Sequence, residues 1–381
     1  MKIAIPKERR ANEARVAASP DTIKKFVGMG FDVVVETGAG EGASLADDSF
    51  VAAGASIAAD EAAALKDADI VLKIQRPLTA EEGLDELALF KKGAVLIGHL
   101  AALQNKPQAE AYAKAGVTAF ALELLPRISR AQNMDILSSQ SNLAGYKSVL
   151  DAAAEYGRAF PMMMTAAGTV PPARILVLGA GVAGLQAIAT AKRMGAVVYA
   201  FDVRPAVKEQ VESLGGKFVE VDASAARDAE TKGGYAKEMD EDYKRKQADK
   251  IAETLKKTDI AISTALIPGK PAPILITEEM VKGMRKGSVI VDLAVEAGGN
   301  CPLSEYGKVV VKHGVILVGH ANVPARLAAD TSLLFAKNLL NFLSLSYDKE
   351  SKGLTINWDD EIIKGTALTR DGQVVHPALA G

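Results

Sequence analysis

The chain has 381 residues, is 49% hydrophobic and 24% charged, and carries a net charge of −2. This is ordinary globular composition with room for two domains, and it implies no bulk electrostatic attraction to nucleic acid or to an anionic membrane. The single cysteine, Cys301, excludes an intrachain disulfide and fits a reducing compartment.

In chain order, residues 2–6 are the first expected strand, 20–29 a helix ended by Gly30, and 32–36 a second strand. Further strands are expected at 70–74, 94–98 and 117–121, with helices between them. Residues 2–6 are too short to begin a signal-peptide core. The alternation predicts a parallel, doubly wound sheet. No glycine fingerprint accompanies it, so this half is Rossmann-like in topology only. Arg15 lies after the first strand, and Lys73 and His99 each close another. Such a trio could hold a small carboxylate and move a proton, although each residue alone is also an ordinary surface or capping residue. Next, residues 126–146, PRISRAQNMDILSSQSNLAGY, are dense in side-chain donors and acceptors between apolar segments. Residues 138–156 continue as a long helix bridging to the second domain, and 166–172 are the expected linker beyond it. Residues 160–180, the most apolar stretch, are broken by Pro161, Pro171, Pro172 and Arg174, so no membrane span is expected.

The motif that organises the chain is RILVLGAGVAGLQAIATAKRMGAVVYAFDVR, residues 174–204. A short apolar run at 175–178 reads as a buried parallel strand. Gly179, Gly181 and Gly184 follow at G-x-G-x-x-G spacing, then a helix over 182–194 closed by Gly195, then a second apolar run that ends at Asp202. Gly179 makes the tight turn, Gly181 lets backbone approach a pyrophosphate, and Gly184 lets helix and strand pack closely. The helix N-terminus offers free N–H groups to the phosphates, and Asp202 falls near the separation at which a carboxylate meets the adenosine ribose. The spacing predicts a dinucleotide site.

Strands expected at 175–178, 197–201, 217–221, 259–264, 288–292 and 315–319 make two mononucleotide-binding halves. The loops 265–273 (ALIPGKPAP), 293–300 (LAVEAGGN) and 320–326 (HANVPAR) fall on the same edge as the fingerprint and favour a binding crevice. The connection 222–258 is long for such a unit. Its polar part, 223–239, reads equally as a lid or a solvated insertion, and 241–257 as a charged surface helix. A helix at 332–345 is expected to pack back on the first domain, and residues 354–358 and 374–375 to flank the turn Asp371–Gly372 as a terminal hairpin. The expected fold class is therefore α/β, with two Rossmann-like doubly wound parallel-sheet domains, the first discontinuous: 1–137 with 329–381, and 138–328. His99, His313, His320 and His376 have no ligand spacing, so no metal is expected.

PRISRAQNMDILSSQSNLAGY, the fingerprint with its preceding FPMMMTAAGTVPPA, GGYAKEM, ALIPGKPAP and VDLAVEAGGNCPLSE together resemble the NAD(H)-binding alpha subunits of bacterial proton-translocating nicotinamide nucleotide transhydrogenases. The resemblance spans essentially the whole chain, and its length matches the split form, in which membrane segments lie on separate chains. It implies NAD(H) on this chain and direct hydride transfer to NADP⁺ on a beta subunit, coupled to proton movement through membrane subunits that include a small membrane-spanning alpha chain. It further implies a homodimer, placed in the cytoplasm on the inner face of the plasma membrane through those partners, without membrane insertion or nucleic acid of its own. By resemblance, Arg127, Gln132, Asp135 and Ser138 surround the nicotinamide, while Val182, Ala183 and Gly184 with Asp202, Val203 and Arg204 hold pyrophosphate and adenosine. Gly234, Tyr235, Gln247 and Leu266 come from the lid and crevice. Alanine dehydrogenase is similar in architecture and matches at Arg15, Lys73 and His99, but it lacks RISRAQ and the GGYAKEM insertion. A soluble amino-acid oxidoreductase of that kind, or a catalytically silent NADH-sensing protein, are the alternatives. Hydride transfer between two nicotinamides needs no general acid; it needs positioning and exclusion of water.

Overall fold

The computed structural model describes residues 1–221, 240–267 and 269–379, and these divide into two compact units, Met1–Gln140 with Ala325–Gly381 and Ser141–Pro324. The first unit holds a parallel sheet of β1 (Lys2–Ile5), β2 (Asp32–Glu36), β3 (Ser56–Ala58), β4 (Ile70–Gln75), β5 (Val95–His99) and β6 (Thr118–Ala121), in the order β3-β2-β1-β4-β5-β6. The second begins with a two-stranded antiparallel hairpin, β7 (Met163–Thr165) and β8 (Gly168–Val170). Its main sheet comprises β9 (Arg174–Leu178), β10 (Val197–Phe201), β11 (Lys217–Phe218), β12 (Ile260–Ser263), β13 (Val289–Asp292), β14 (Lys308–Lys312) and β15 (Val315–Gly319), in the order β11-β10-β9-β12-β13-β15-β14. All its pairings are parallel except β14 with β15. Counted within its unit, each set of six parallel strands therefore reads 3-2-1-4-5-6, the doubly wound order.

Both sheets are buried on two faces, which is why their strands are near-continuous apolar runs. Ile3 and Ile5 of β1 enter a core with Phe26, Phe335 and Leu339, while Ala4 between them faces Val71, Leu96 and Tyr112. Ile175 and Val177 of β9 likewise face one core, and Leu176 and Leu178 the other. The period of two is read directly from strand geometry. Helix Pro20–Gly28 starts at a capping box in which Ser19 and Thr22 satisfy each other's amides. Helix Ala328–Ser344 belongs to the first unit and supplies Phe335, Leu339, Phe342 and Leu343 to its core. The free edge of β6 is covered by the C-terminal segment. Thr369 Oγ1 donates to Val117 O at 2.7 Å and accepts from Ala119 N at 3.0 Å.

Some elements differ from the sequence reading. β3 is not expected from the sequence, because SIA is too short to show a period. β14 adds a seventh, antiparallel strand whose KVVVK pattern alternates exposed and half-buried residues, as an edge strand should. Residues 166–172, expected as linker, contribute half of the β7–β8 hairpin. The turn Asp371–Gly372 does close a hairpin, with φ of 51° and 76° at its two residues. Its strands are Thr369–Arg370 and Gln373–Val374, however, and Leu354 pairs instead with Tyr347 in a separate ribbon. The expected lid, residues 223–239, lies outside the described residues.

Candidate functional site

In the second unit the chain turns from β9 into helix Val182–Arg193 through the three glycines. Gly179 has φ +94°, and a Cβ there would meet Thr264 Oγ1 at 2.7 Å. That hydroxyl donates to the Gly179 carbonyl at 3.1 Å, so Thr264, at the end of β12, pins the turn. A Cβ on Gly184 would fall 1.8 Å from the Gly179 carbonyl oxygen, which makes this glycine a matter of backbone contact. Gly181 is different: its φ of −76° suits any residue, and a Cβ there would meet nothing within 4 Å. Nothing among the described residues requires glycine at this position, whereas a ligand lying against the backbone would. Gly181 is the N-cap of the helix and no side chain among the described residues caps it, so the first N–H groups and the positive dipole end face the same space. The residues thus fit a bound pyrophosphate. Sequence reasoning missed one supporting glycine: a Cβ on Gly145 would lie 2.0 Å from the Ala183 carbonyl, so Gly145 lets its helix lie against the fingerprint turn.

Asp202 follows β10 and is buried. Its Oδ2 accepts from Ala180 N at 2.7 Å and Arg204 Nη2 at 2.9 Å, and its Oδ1 from Arg204 N at 2.9 Å and Arg204 Nε at 3.0 Å. The carboxylate therefore ties the fingerprint loop to the end of β10. Val203 is half-buried beside it. The crevice loop after β12 is held by Asn300, which is fully buried. Asn300 Oδ1 accepts from Ser263 Oγ at 2.6 Å and Ala265 N at 3.2 Å, and its Nδ2 donates to Ala265 O at 2.9 Å and Pro273 O at 2.8 Å. Between these anchors Leu266 stands 52% exposed. Val182 is also exposed, and Gln247 lies half-buried on helix Glu241–Leu255. Gly234 and Tyr235 lie outside the described residues.

Arg127, Gln132, Asp135 and Ser138 fall in the first unit. The segment around them is anchored at most of its positions. Arg130 pairs bidentately with Asp360 at 2.6 and 3.0 Å. The Asn133 carbonyl accepts from Asn338 and Asn341, each at 2.9 Å. Asp135 caps helix Ile136–Glu155, accepting from Ser138 N at 2.9 Å and from Ser138 Oγ at 2.5 Å. The short helix Ser129–Met134 thereby presents Gln132 to solvent on a fixed frame.

The trio Arg15, Lys73 and His99 sits at the carboxyl edge of the first sheet, near where the strand order reverses between β1 and β4. This is where open α/β sheets take ligands, yet here the cations are paired internally. Lys73 is 1% exposed and lies 2.8 Å from Glu86 and 3.5 Å from Glu8. Burial alone would lower its ammonium, but the two carboxylates outweigh burial and hold it above its ordinary range. Arg15 pairs with Glu13 at 2.6 Å and donates to Gln140 at 2.8 Å. His99 is half-buried. The sequence reading missed Glu8, Glu61 and Glu86, because isolated acids in polar loops read as solvated. Burial, and then the like charge of Glu86 meeting it carboxyl to carboxyl, push Glu61 up to about 8. Burial raises Glu8 to about 7 despite Lys73. Among the described residues no cluster of His, Cys, Asp or Glu could hold a metal, and no helix is long and apolar enough to cross a membrane.

Comparison with known proteins matches both halves of the chain. Residues 4–144 match the N-terminal domain of the alanine dehydrogenase/PNT family, and residues 148–377 match its C-terminal domain. The chain is 68% identical over 381 residues to an NAD(P) transhydrogenase alpha-subunit chain of Rhodospirillum rubrum, covering 100% of this chain and 99% of that one. The crystal structure of transhydrogenase from Sinorhizobium meliloti is similar at a TM-score of 0.88 and 52% identity, covering 98% of this chain and 100% of that one. A solved L-alanine dehydrogenase is similar at 0.80 and 27% identity, covering 100% and 98%.

Proposed function

From the premise that the chain belongs to the alanine dehydrogenase/PNT family, as an NAD(P) transhydrogenase alpha subunit and hence a component of an NAD(P)-binding oxidoreductase, we propose that it holds NAD(H) and exchanges a hydride with NADP(H) carried by a separate beta subunit. The exchange is coupled to proton translocation through membrane-spanning partners, a small alpha chain among them, so that this chain works at the inner face of the plasma membrane. One observation carries the reading. Two sheets share one strand order and each has a carboxylate at the end of its second strand, Glu36 and Asp202, but only the second has the glycine turn and, among the described residues, the uncapped helix that suit a dinucleotide. In the first, Arg15 and Lys73 are already paired with carboxylates of the protein, so a small carboxylate substrate would have to displace them. A chain in which one sheet's crevice suits a dinucleotide and the other's cations are already paired takes its redox partner from another polypeptide.

When bound, the dihydronicotinamide supplies the hydride. Gly181 with Val182, Ala183 and Gly184 takes the pyrophosphate; Asp202 and Val203, with the backbone of Arg204, the adenosine; Gln247 and Leu266 flank the nucleotide, with Gly234 and Tyr235. Arg127, Gln132, Asp135 and Ser138 attend the nicotinamide. Because Asp135 and Ser138 are engaged with each other, Gln132 is the side chain presented to orient an incoming ring. A hydride passed between two rings delivers no proton to substrate, so an amide serves where a dehydrogenase needs an acid. A homodimer is supported by the hairpin at Met163–Val170, at whose start Met162, Met163 and Met164 stand 58, 43 and 79% exposed.

The test is reconstitution. The purified chain should be inert with NADH and NADP⁺ and gain activity on adding the NADP(H)-binding partner. Gln132→Asn should leave NADH affinity nearly intact and slow transfer by about tenfold or more, some 1.4 kcal/mol of barrier. Turnover of alanine with NAD⁺, or of pyruvate and ammonia with NADH, at about 1 s⁻¹ or more would favour the alanine-dehydrogenase alternative, which the retained Arg15, Lys73 and His99 keep in play.

A further inference from the structure

The carboxylate of Asp202 has about four acceptor positions, and all are filled. Two belong to the backbone amides of Ala180 and Arg204, which fix its orientation. The other two are taken side-on by Nε and Nη2 of Arg204, at 3.0 and 2.9 Å. A ribose diol that approached Asp202 would find every acceptor occupied. The two amides cannot leave without opening the fingerprint loop. The guanidinium can, because its side chain keeps 15% of its surface in solvent while that of Asp202 keeps 6%.

We propose that the Arg204 guanidinium is a placeholder for the adenosine ribose, occupying the two positions on Asp202 that the ribose hydroxyls take and leaving them when the nucleotide binds. The inference rests on the NAD(H) reading above. Its physical logic is that a buried carboxylate without donors is costly, so the empty site keeps Asp202 satisfied from within. The diol then replaces two donors with two donors, and the ligand must compete with an intramolecular pair. The arrangement bears on selectivity as well. While Arg204 is held by Asp202 its charge is neutralised, so it offers little to a 2′-phosphate, which would also meet the Asp202 carboxylate.

The experiment is fluorescence titration of the intact chain with NADH, with stopped-flow association, on the wild type, R204M, R204K, D202N and the D202N/R204M double variant. Removing the competitor should tighten NADH about three- to tenfold in R204M, the range expected for a charge-assisted, partly covered pair, with faster association. R204K, which cannot bond side-on through two nitrogens, should fall between. In the D202N background the R204M gain should vanish, an effect that mere loosening of the loop would not produce. NADPH affinity should not rise in R204M. If R204M binds NADH no better than the wild type, or more weakly, the placeholder is overturned. Should R204M lower the melting midpoint, R204K decides the question by the same criterion. Failure of the wild type to bind NADH would overturn the NAD(H) reading and the placeholder together.

Discussion

Beside β9 the chain leaves the sheet through glycines, and the space outside them is lined by backbone: Gly181 with open room at its Cβ position, and the uncapped start of helix Val182–Arg193. Beside β1, at the same place in an identically ordered sheet, the chain leaves through Pro6, Lys7, Glu8 and Arg9, and the equivalent space is filled with side chains. Glu8 accepts from the Ile74 amide at 2.6 Å, Lys73 bridges Glu8 and Glu86, and Arg9 reaches Glu36 at 2.5 Å and Glu61 at 3.6 Å. The topology provides a crevice at the carboxyl edge in both units. What differs is whether the residues after the first strand leave it open to a ligand or close it with paired charges. Fold and function separate at those few positions.

The strongest way to break the comparison is to remove the central cation of the filled crevice. Lys73→Met leaves Glu8 and Glu86 buried without their ammonium, which should cost the first unit about 3–5 kcal/mol, as for other buried pairs that lose one partner. Calorimetry should show this as a lowered transition of that unit, while NADH titration of the second stays unchanged. If K73M melted like the wild type and instead lost a turnover with a small 2-oxo acid, the crevice would be a substrate site after all.

A gentler perturbation uses protons. Glu61 faces Glu86, Arg9 and Lys73, and its Oε1 finds no donor among the described residues. With Glu61 near 8 and Glu8 near 7, the folded state keeps protons that the unfolded chain releases in the ordinary carboxylate range. The resulting stabilisation is fully present below about pH 4.5 and is lost as pH rises through 7 to 8. Urea denaturation of the first unit at pH 5.5 and 8.5 measures it. Glu61→Gln should flatten that dependence, and an unchanged slope would show that the shared proton lies elsewhere.

This contrast also marks what can be read from the sequence. Strands 175–178 and 197–201, the glycine turn and Asp202 are legible because their spacing is imposed by backbone geometry over short range. The helix boundaries at 182 and 241 are legible for the same reason, through an N-terminal glycine and an acid-rich first turn. Glu8, Glu61 and Glu86 are not. They come from the ends of three separate segments, and nothing local distinguishes a buried paired carboxylate from a solvated one. Asn300 is visible only within a glycine-rich loop, since its four partners lie on Ser263, Ala265 and Pro273. Spacing puts Arg204 near the adenosine, but its pairing with Asp202 depends on a side-chain conformation that spacing does not encode.

The smallest expected effect on stability sharpens the comparison most. Gly181→Ala adds a methyl where the described residues have no atom within 4 Å, at a φ of −76° and ψ of −166° that alanine adopts freely. Folding stability should change by no more than about 0.5 kcal/mol, as at an unconstrained surface position, and loss of glycine's backbone freedom in the unfolded chain works in favour of the variant. Gly184 offers no such test, because its Cβ would lie 1.8 Å from the Gly179 carbonyl and would disturb the turn itself. If the open room at Gly181 is where a pyrophosphate lies against the backbone, the same methyl should weaken NADH binding by about tenfold, or about 1.4 kcal/mol. The two measurements together separate a glycine kept for the fold from one kept for a ligand. A Gly181→Ala chain that melts and binds NADH like the wild type would mean that the pyrophosphate does not pass this point. The second crevice would then be open for some other reason than the one its sequence spacing suggests.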